Sequence, residues 1–227
     1  MEEKWQKTYE KEVEIYDTFS ECEDEGNKIL KKLLENFSFK DKIVLDIGCG
    51  SGKYVKLIAP LCKKYYALDI SKPLLKLAKK KCKNIHNIEY IHANSENILL
   101  KNESVDVVFS SWGLIGNIEK IMQEIMRVLK KGGEIWSFGN YPPGEFMKMR
   151  GASEIKWEKN FLEISKKYSL KIYAIVNTNF KFPNLNEAKR ILGFIFGKKA
   201  LNYLEKNPNP KIKHKAVILH KVKQAVE

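Results

Sequence analysis

From Ile43 to Phe138 the sequence alternates between short apolar runs and stretches of helical spacing, and this alternation restricts the fold more than any other feature. The runs Ile43–Ile47, Tyr65–Leu68, Ile88–Ile91, Val105–Ser110 and Ile135–Phe138 have the length and the β-branched and aromatic content of strands. Between them Lys53–Lys63, a segment from Pro73 to about Lys83, and Ile118–Leu129 place their apolar residues at helical spacing. Ser71 suits the N-cap of the second of these, and Pro73 its first turn. Gly132-Gly133 reads as a glycine cap closing the third. Strands that alternate with helices in this way predict a mainly parallel, doubly wound sheet.

The flanks follow another pattern. Residues 2–17 are charged with scattered apolar positions, Glu21–Gly26 is turn-like, and residues 27–37 have helical spacing. Beyond Asn140, Leu170–Val176 and Ala216–Leu219 read as two late strands. Leu185–Leu204 between them is helical with an interruption at Gly197. The expected fold is therefore α/β: a doubly wound, mainly parallel seven-stranded sheet with a terminal antiparallel strand and an inserted helical cap. The 227 residues fit one domain with three parts. These are an N-terminal helical segment (1–37), a core (38–140), and a variable C-terminal part (141–227) with its cap at about 185–206.

In an open α/β sheet, ligands bind beyond the carboxyl ends of the strands. The first strand ends in "VLDIGCGSGKY" (44–54), an acid followed by three glycines. Glycine permits a tight turn and a close approach of ligand to backbone. The loop amides and the start of the next helix are then expected to receive an anionic end of the ligand. Asp69 ends the second strand 23 residues after Asp46, where a carboxylate accepts from a ribose diol. The pattern points to a nucleoside cofactor. The spacing Gly48-Cys49-Gly50-Ser51-Gly52 departs from the Gly-x-Gly-x-x-Gly of nicotinamide dinucleotide sites.

At this point "VLDIGCGSGKY" resembles the first motif of the class I S-adenosylmethionine-dependent methyltransferases. "ALDIS" (67–71), "HANSENI" (92–98), "SVDVVFSSWGLIGNI" (104–118) and "IMRVLKKGGEIWSFG" (125–139) resemble the motifs that follow, in order, over about residues 40–140. The resemblance implies S-adenosylmethionine as cofactor, held by Asp46, Gly48, Cys49, Gly50, Gly52, Asp69, Ile70, Asn94, Ser95, Glu96 and Ser111. Asp46 is expected to favour the cationic end, Asp69 to hold the ribose, and Asn94 with the backbone at Ser95-Glu96 to read the adenine. Asn94 stands where the family commonly has an acid. Tyr16, Trp112, Tyr141 and Phe194 are the expected acceptor-side residues. No catalytic residue is assigned, because an activated methyl group demands mainly orientation, with a base only where the acceptor must lose a proton.

The expected acceptor is a small molecule, enclosed in part by the cap with its Ile191, Leu192, Phe194, Ile195 and Phe196. Two alternatives stand beside it: an RNA or protein methyltransferase, and a non-catalytic module that only binds S-adenosylmethionine. The first draws on a net charge of +13. Yet Arg127, Arg150 and Arg190 are the only arginines, and the lysines spread along the chain, so nucleic acid is not the favoured partner. "NYPPG" (140–144) follows the fifth strand, and a rigid loop exit accounts for it better than the amino-methylase motif that follows a fourth strand.

Cys22, Cys49, Cys62 and Cys82 have no ligand spacing, and His86, His92, His214 and His220 are dispersed, so no metal site is expected. His92 lies near the expected cofactor; His214 and His220 are expected at the surface. The first five residues lack the layout of a signal peptide, no run reaches the ~20 apolar residues of a membrane span, and the thiols suit a reducing compartment, so a cytoplasmic protein is expected.

Overall fold

The computed structural model describes Tyr9, residues 11–151 and residues 154–224, with side chains left aside at 154–158 and 160. The charged stretch expected from residue 2 lies outside these residues as far as residue 8. The seven strands are β1 (Ile43–Ile47), β2 (Lys64–Asp69), β3 (Ile88–His92), β4 (Val105–Ser111), β5 (Leu129–Asn140), β6 (Lys171–Lys181) and β7 (Lys211–Val222). They hydrogen-bond in the order β3-β2-β1-β4-β5-β7-β6. Among the described residues no helix is long and apolar enough to cross a membrane.

The chain divides into two compact units. One, the core unit, is Asn36–Gly139 with the segment from Leu219; the other, flanking it in sequence, is the chain up to Glu35 with Asn140–Ile218.

In the core unit β1 to β5 run parallel. β1 lies between β2 and β4, with Asp46 level with Ala67 on one side and Phe109 on the other. The chain winds outward in opposite directions from this point, and the carboxyl ends of β1 and β4 therefore border a crevice. Val44, Leu45 and Ile47 are buried, as both faces of the sheet are covered, and this explains why β1 reads as an apolar run without alternation. Helix α4 (Lys72–Lys81) follows β2, with the Ser71 hydroxyl accepting from the Leu74 N–H (3.3 Å). Helix α5 (Ile118–Val128) follows β4, and the Asn117 side chain accepts from Glu119 N and Lys120 N.

Two expectations fail here for local reasons. The helix expected over Lys53–Lys63 shrinks to α3 (Val55–Ile58) and a single 3-10 turn, Ala59–Leu61, because Pro60 lacks the N–H that would continue it. Gly132-Gly133 does not cap α5. Leu129 is already extended and begins β5, so the glycines lie within the strand. Val105 pairs with Leu129 and Val107 with Glu134, so two residues of β4 match five of β5. The extra residues form a bulge, with Gly132 at φ +73°.

The flanking unit holds α1 (Val13–Cys22), α2 (Lys28–Leu34), α6 (Glu145–Met149), α7 (Glu154–Tyr168), β6, α8 (Leu185–Phe196), α9 (Lys198–Lys206) and β7 to Ile218. Asp24 is buried between α1 and α2, where one carboxylate oxygen accepts from Ile29 N (3.0 Å) and the other from the Thr178 hydroxyl (2.8 Å). The Asn184 side chain caps α8 at Glu187 N, and Gly197, at φ +71°, separates α8 from α9. This break falls where the sequence places it. Ile191, Leu192, Ile195, Ala200 and Leu204 enter one buried cluster with Phe19, Phe146, Phe180, Phe182 and Ile212. The apolar face of the cap is thus core.

His214, expected at the surface, is buried in the same unit. Its ring lies 5.0 Å from that of Phe180 and 5.3 Å from that of Phe146, and Nε2 bonds Asn140 Oδ1 at 2.9 Å. The preceding strand positions alternate lysine with an apolar residue, and His214 takes an inward position of that alternation. His220 is partly buried in the core unit, stacked on Trp136 (4.0 Å) and bonded to Glu134 (2.7 Å).

Candidate functional site

All eleven residues expected to hold a cofactor, together with Trp112, belong to the core unit, at or beyond the carboxyl ends of β1 to β4. The loop after β1 turns through Gly48, Gly50 and Gly52 at φ +73°, +54° and +88°, conformations that side chains resist. Its amides are engaged within the protein. Gly48 N and Cys49 N donate to Leu68 O (2.9 and 3.0 Å), Gly52 N to Cys49 O (3.1 Å), and Gly50 N to Asp69 Oδ2 (2.8 Å). These four N–H groups are thus already paired within the protein: the loop holds its own shape against β2 and leaves backbone surface clear of side chains.

Asp69 is held from two sides, since its other oxygen accepts from Ser71 N (2.8 Å). Each carboxylate oxygen has a second lone pair, so a fixed acceptor remains for hydroxyl donors. Burial raises this carboxyl above the usual carboxylate range, against the pull of the Ser71 and Gly50 amides. Asp46 is more deeply enclosed. Its Oδ2 accepts from the Tyr65 hydroxyl at 2.7 Å, and its Oδ1 has no hydrogen-bond partner among the described residues. Burial pushes its pKa up to about 7; Tyr65 pulls it down and Asp69 adds to the rise. A buried carboxylate without full pairing is costly. Two buried acids about one glycine loop, one of them incompletely paired, form a site electrostatically suited to a cation.

The third-strand loop is more committed than the sequence suggests. Asn94 Oδ1 accepts from Glu96 N (2.9 Å), which leaves Asn94 its amide N–H groups and the oxygen's second lone pair for a ligand. The Glu96 carboxylate accepts from Asn117 N (3.0 Å) and lies 4.0 Å from Lys120. It thereby ties this loop to the one after β4. Ser95 is half-buried and Ile70 is 61% exposed. His92 Nε2 meets Ile70 O at 3.0 Å. At the end of β4, Ser110 donates to Ile47 O (2.9 Å), Ser111 is half-buried, and Trp112 adopts φ +55° with its N–H on Phe138 O (3.0 Å).

Three neighbours escape the sequence reading. Tyr65 orients Asp46 from the start of β2, a role given by strand register. Gly113 has no room for a side chain: a Cβ there would stand 2.2 Å from Ile47 O and 2.9 Å from Gly48 Cα. The "WG" pair offers a signal for this that spacing alone does not rank. Lys53, next to the last loop glycine, is buried with its ammonium 5.5 Å from the Tyr54 ring centre.

The remaining expected residues lie in the flanking unit. Tyr16, on α1, meets Tyr9 edge-on at 5.0 Å, and Tyr141 meets Phe161 at 6.2 Å. Phe194 is 37% exposed on α8, while Phe196 packs on Phe19 and Phe146.

A doubly wound sheet with a glycine loop after β1 and an acid ending β2 defines a Rossmann-like nucleoside-binding fold. Residues 45–137 match the model of the methyltransferase domain family, and this segment has the Rossmann-like fold of S-adenosylmethionine-dependent methyltransferases. Among curated relatives, the chain is 28% identical to malonyl-acyl-carrier-protein O-methyltransferase of Marinomonas sp. over 57% of its own length and 48% of the relative's. It is 35% identical to the ubiquinone/menaquinone biosynthesis C-methyltransferase of Wigglesworthia glossinidia brevipalpis, over 53% and 52%. The chain thus spans about half the length of these relatives. A methyltransferase structure from Thiobacillus denitrificans in complex with S-adenosyl-L-homocysteine superposes with a TM-score of 0.58, covering 86% of this chain and 90% of that one. At 16% identity that likeness speaks for the fold alone.

Proposed function

We propose that this chain binds S-adenosylmethionine at the carboxyl ends of β1 to β4 and transfers its methyl group to a small-molecule acceptor. The observation that carries this reading is the glycine loop set between two buried acids, one of them with an oxygen free of partners. Asp46 favours the cationic end of the ligand, directly or through water. Asp69, fixed by the Gly50 and Ser71 amides, accepts from the ribose hydroxyls. Gly48, Cys49, Gly50 and Gly52 give the ligand access to the backbone, with Ile70 and Ser111 at its margins. Asn94 donates to the uncharged adenine edge, and the backbone at Ser95-Glu96 completes that side.

Bound there, the cofactor supplies a methyl group already activated on a sulfonium. The chain's own residues then orient two reactants, which is worth roughly 7–11 kcal/mol of a barrier. The named relatives include an O- and a C-methyltransferase, which supports the reaction class. Acceptor choice falls to the segments outside 45–137 and to the Trp112 loop, with Tyr16, Tyr141 and Phe194 as acceptor-side residues. We place the protein in the cytoplasm, where Cys22, Cys49, Cys62 and Cys82, all free thiols here, stay reduced.

Calorimetry with S-adenosylmethionine, S-adenosylhomocysteine and NAD tests the cofactor. Binding of the first two without the third is expected, and binding of NAD alone overturns the reading. Labelled S-adenosylmethionine with fractionated cell extract tests the acceptor. Label in a small-molecule fraction is expected, and label confined to RNA or protein transfers the assignment to those classes.

A further inference from the structure

The three arginines of this lysine-rich chain have unequal surroundings. Arg127 donates to both Glu124 oxygens, to the Leu100 and Ile98 carbonyls and to Asn102. Arg190 pairs with Glu187. In both, a carboxylate stands three residues earlier on the same helix. Arg150 has Met147 there, and its side chain makes no hydrogen bond or ion pair among the described residues. Its guanidinium carbon lies 5.9 Å from the ring centre of Phe146 and 5.7 Å from that of Phe196. The side chain is half-buried, and burial pulls its pKa below the ordinary arginine value.

A second cation stands beside it. A Cβ on Gly151 would lie 2.8 Å from Lys199 Cδ and 2.9 Å from Lys199 Nζ, so the Lys199 ammonium sits against the residue next to Arg150. Lys199 also has no carboxylate partner among the described residues. Glu145, the nearest preceding acid in sequence, is engaged with Lys213 N (3.0 Å) and the Tyr203 hydroxyl.

We infer that Arg150, with Lys199 beside it, is a binding site for an anionic small molecule that presents carboxylate or phosphate oxygens. A guanidinium stays charged, and burying a charge without a counter-ion is unfavourable. Aromatic faces offset part of that cost. The two ring centres stand 5.7 Å from each other, so both rings lie to one side of the guanidinium and leave its N–H edge on the other side to a ligand. That edge is a fork that matches two oxygens at once. A lysine would serve for general surface charge, as it does through most of this chain; a planar fork fits bidentate recognition. The inference does not rest on methyl transfer.

The test uses the full chain, with thermal melting and calorimetry against inorganic phosphate and malonate, the two probes separating phosphate from carboxylate recognition. At least one is expected to raise the wild-type midpoint and bind with a measurable constant. Arg150→Met keeps the apolar stem, so it is expected to melt no lower than wild type without anion and to lose the anion response. Arg150→Lys keeps the charge without the fork and is expected to bind the preferred probe about tenfold more weakly. Arg190→Met is expected to leave the response intact. If neither probe acts on the wild type, if Arg150→Met keeps the response, or if Arg190→Met loses it equally, the site is refuted. A large fall in the melting point of both Arg150 variants, with probe binding unchanged in Arg150→Lys, assigns Arg150 to packing instead.

Discussion

Removing the Tyr65 hydroxyl isolates the electrostatics of Asp46. In the wild type this hydroxyl is the one hydrogen-bond partner of the buried carboxylate among the described residues, at 2.7 Å on Oδ2, and Asp46 titrates at about 7. A carboxyl whose folded pKa is raised favours folding while protonated. That contribution is fully present below the ordinary pKa and is lost as pH rises through about 7. A rise from the ordinary aspartate value to about 7 corresponds to roughly 4 kcal/mol. The ligand-free protein is therefore expected to lose stability between about pH 4 and 7, and a ligand with a cationic end to restore it.

Cofactor affinity follows the opposite trend, because the cation prefers the ionised acid. Between pH 5.5 and 7.5 the ionised fraction, and with it the affinity, should rise roughly 25-fold. Tyr65→Phe deletes a hydrogen bond to a charged group, worth about 1.5–3 kcal/mol, which raises the pKa further by about one to two. At pH 7 the ionised fraction then falls from about one half to under a tenth, and affinity drops roughly five- to fiftyfold. The loss shrinks as pH rises. Calorimetry with S-adenosylhomocysteine from pH 5.5 to 8.5, on protein with native circular dichroism, reads both effects. A folded Tyr65→Phe with wild-type affinity and an unmoved pH profile refutes the assignment of Asp46 to the cationic end.

Asp69→Ala removes the anchor of Gly50 N and Ser71 N together with the proposed ribose acceptor, so cofactor affinity should fall about tenfold to a hundredfold in calorimetry while the fold persists. Gly113→Ala forces a methyl group against the Ile47 carbonyl, and since the obstructing atoms are backbone the loops after β1 and β4 must separate; denaturant melts should show a loss of about 1–3 kcal/mol, with weaker cofactor binding. In the cap, Ile191→Ala opens a cavity in the buried cluster and should cost about 2–5 kcal/mol, whereas Phe194→Ala should stay within about 0.5 kcal/mol of wild type in the same melts.

The parts of this chain that are legible in the sequence are those in which one local rule acts alone. β1, β2 and β4 are buried on both faces, so their composition announces them, and the break at Gly197 follows from backbone freedom. The helix after the glycine loop is shorter than its spacing predicts because apolar periodicity continues past Pro60, which spacing does not register. The two glycines after α5 are ambiguous in sequence because a helix cap and a strand bulge call for the same positive φ; only the register of β5 against β4 distinguishes them.

The site divides along the same line. Motif residues are legible because chemistry fixes their type and spacing. What those residues still have to offer is not, because it depends on partners distant in sequence. Gly50 N is bound by Asp69, 19 residues on, and Asp46 by Tyr65, also 19 residues on. Glu96 is turned toward Asn117, 21 residues on. The first two bonds tie β1 and its loop to β2, and the third ties the loop after β3 to the loop after β4, so each pair is fixed before any ligand arrives. A preorganised site of this kind predicts that a mutation at any of these cross-strand bonds weakens cofactor binding more than its own contact with the ligand would account for. Tyr65→Phe, which touches no ligand group in the proposed arrangement, is the cleanest instance.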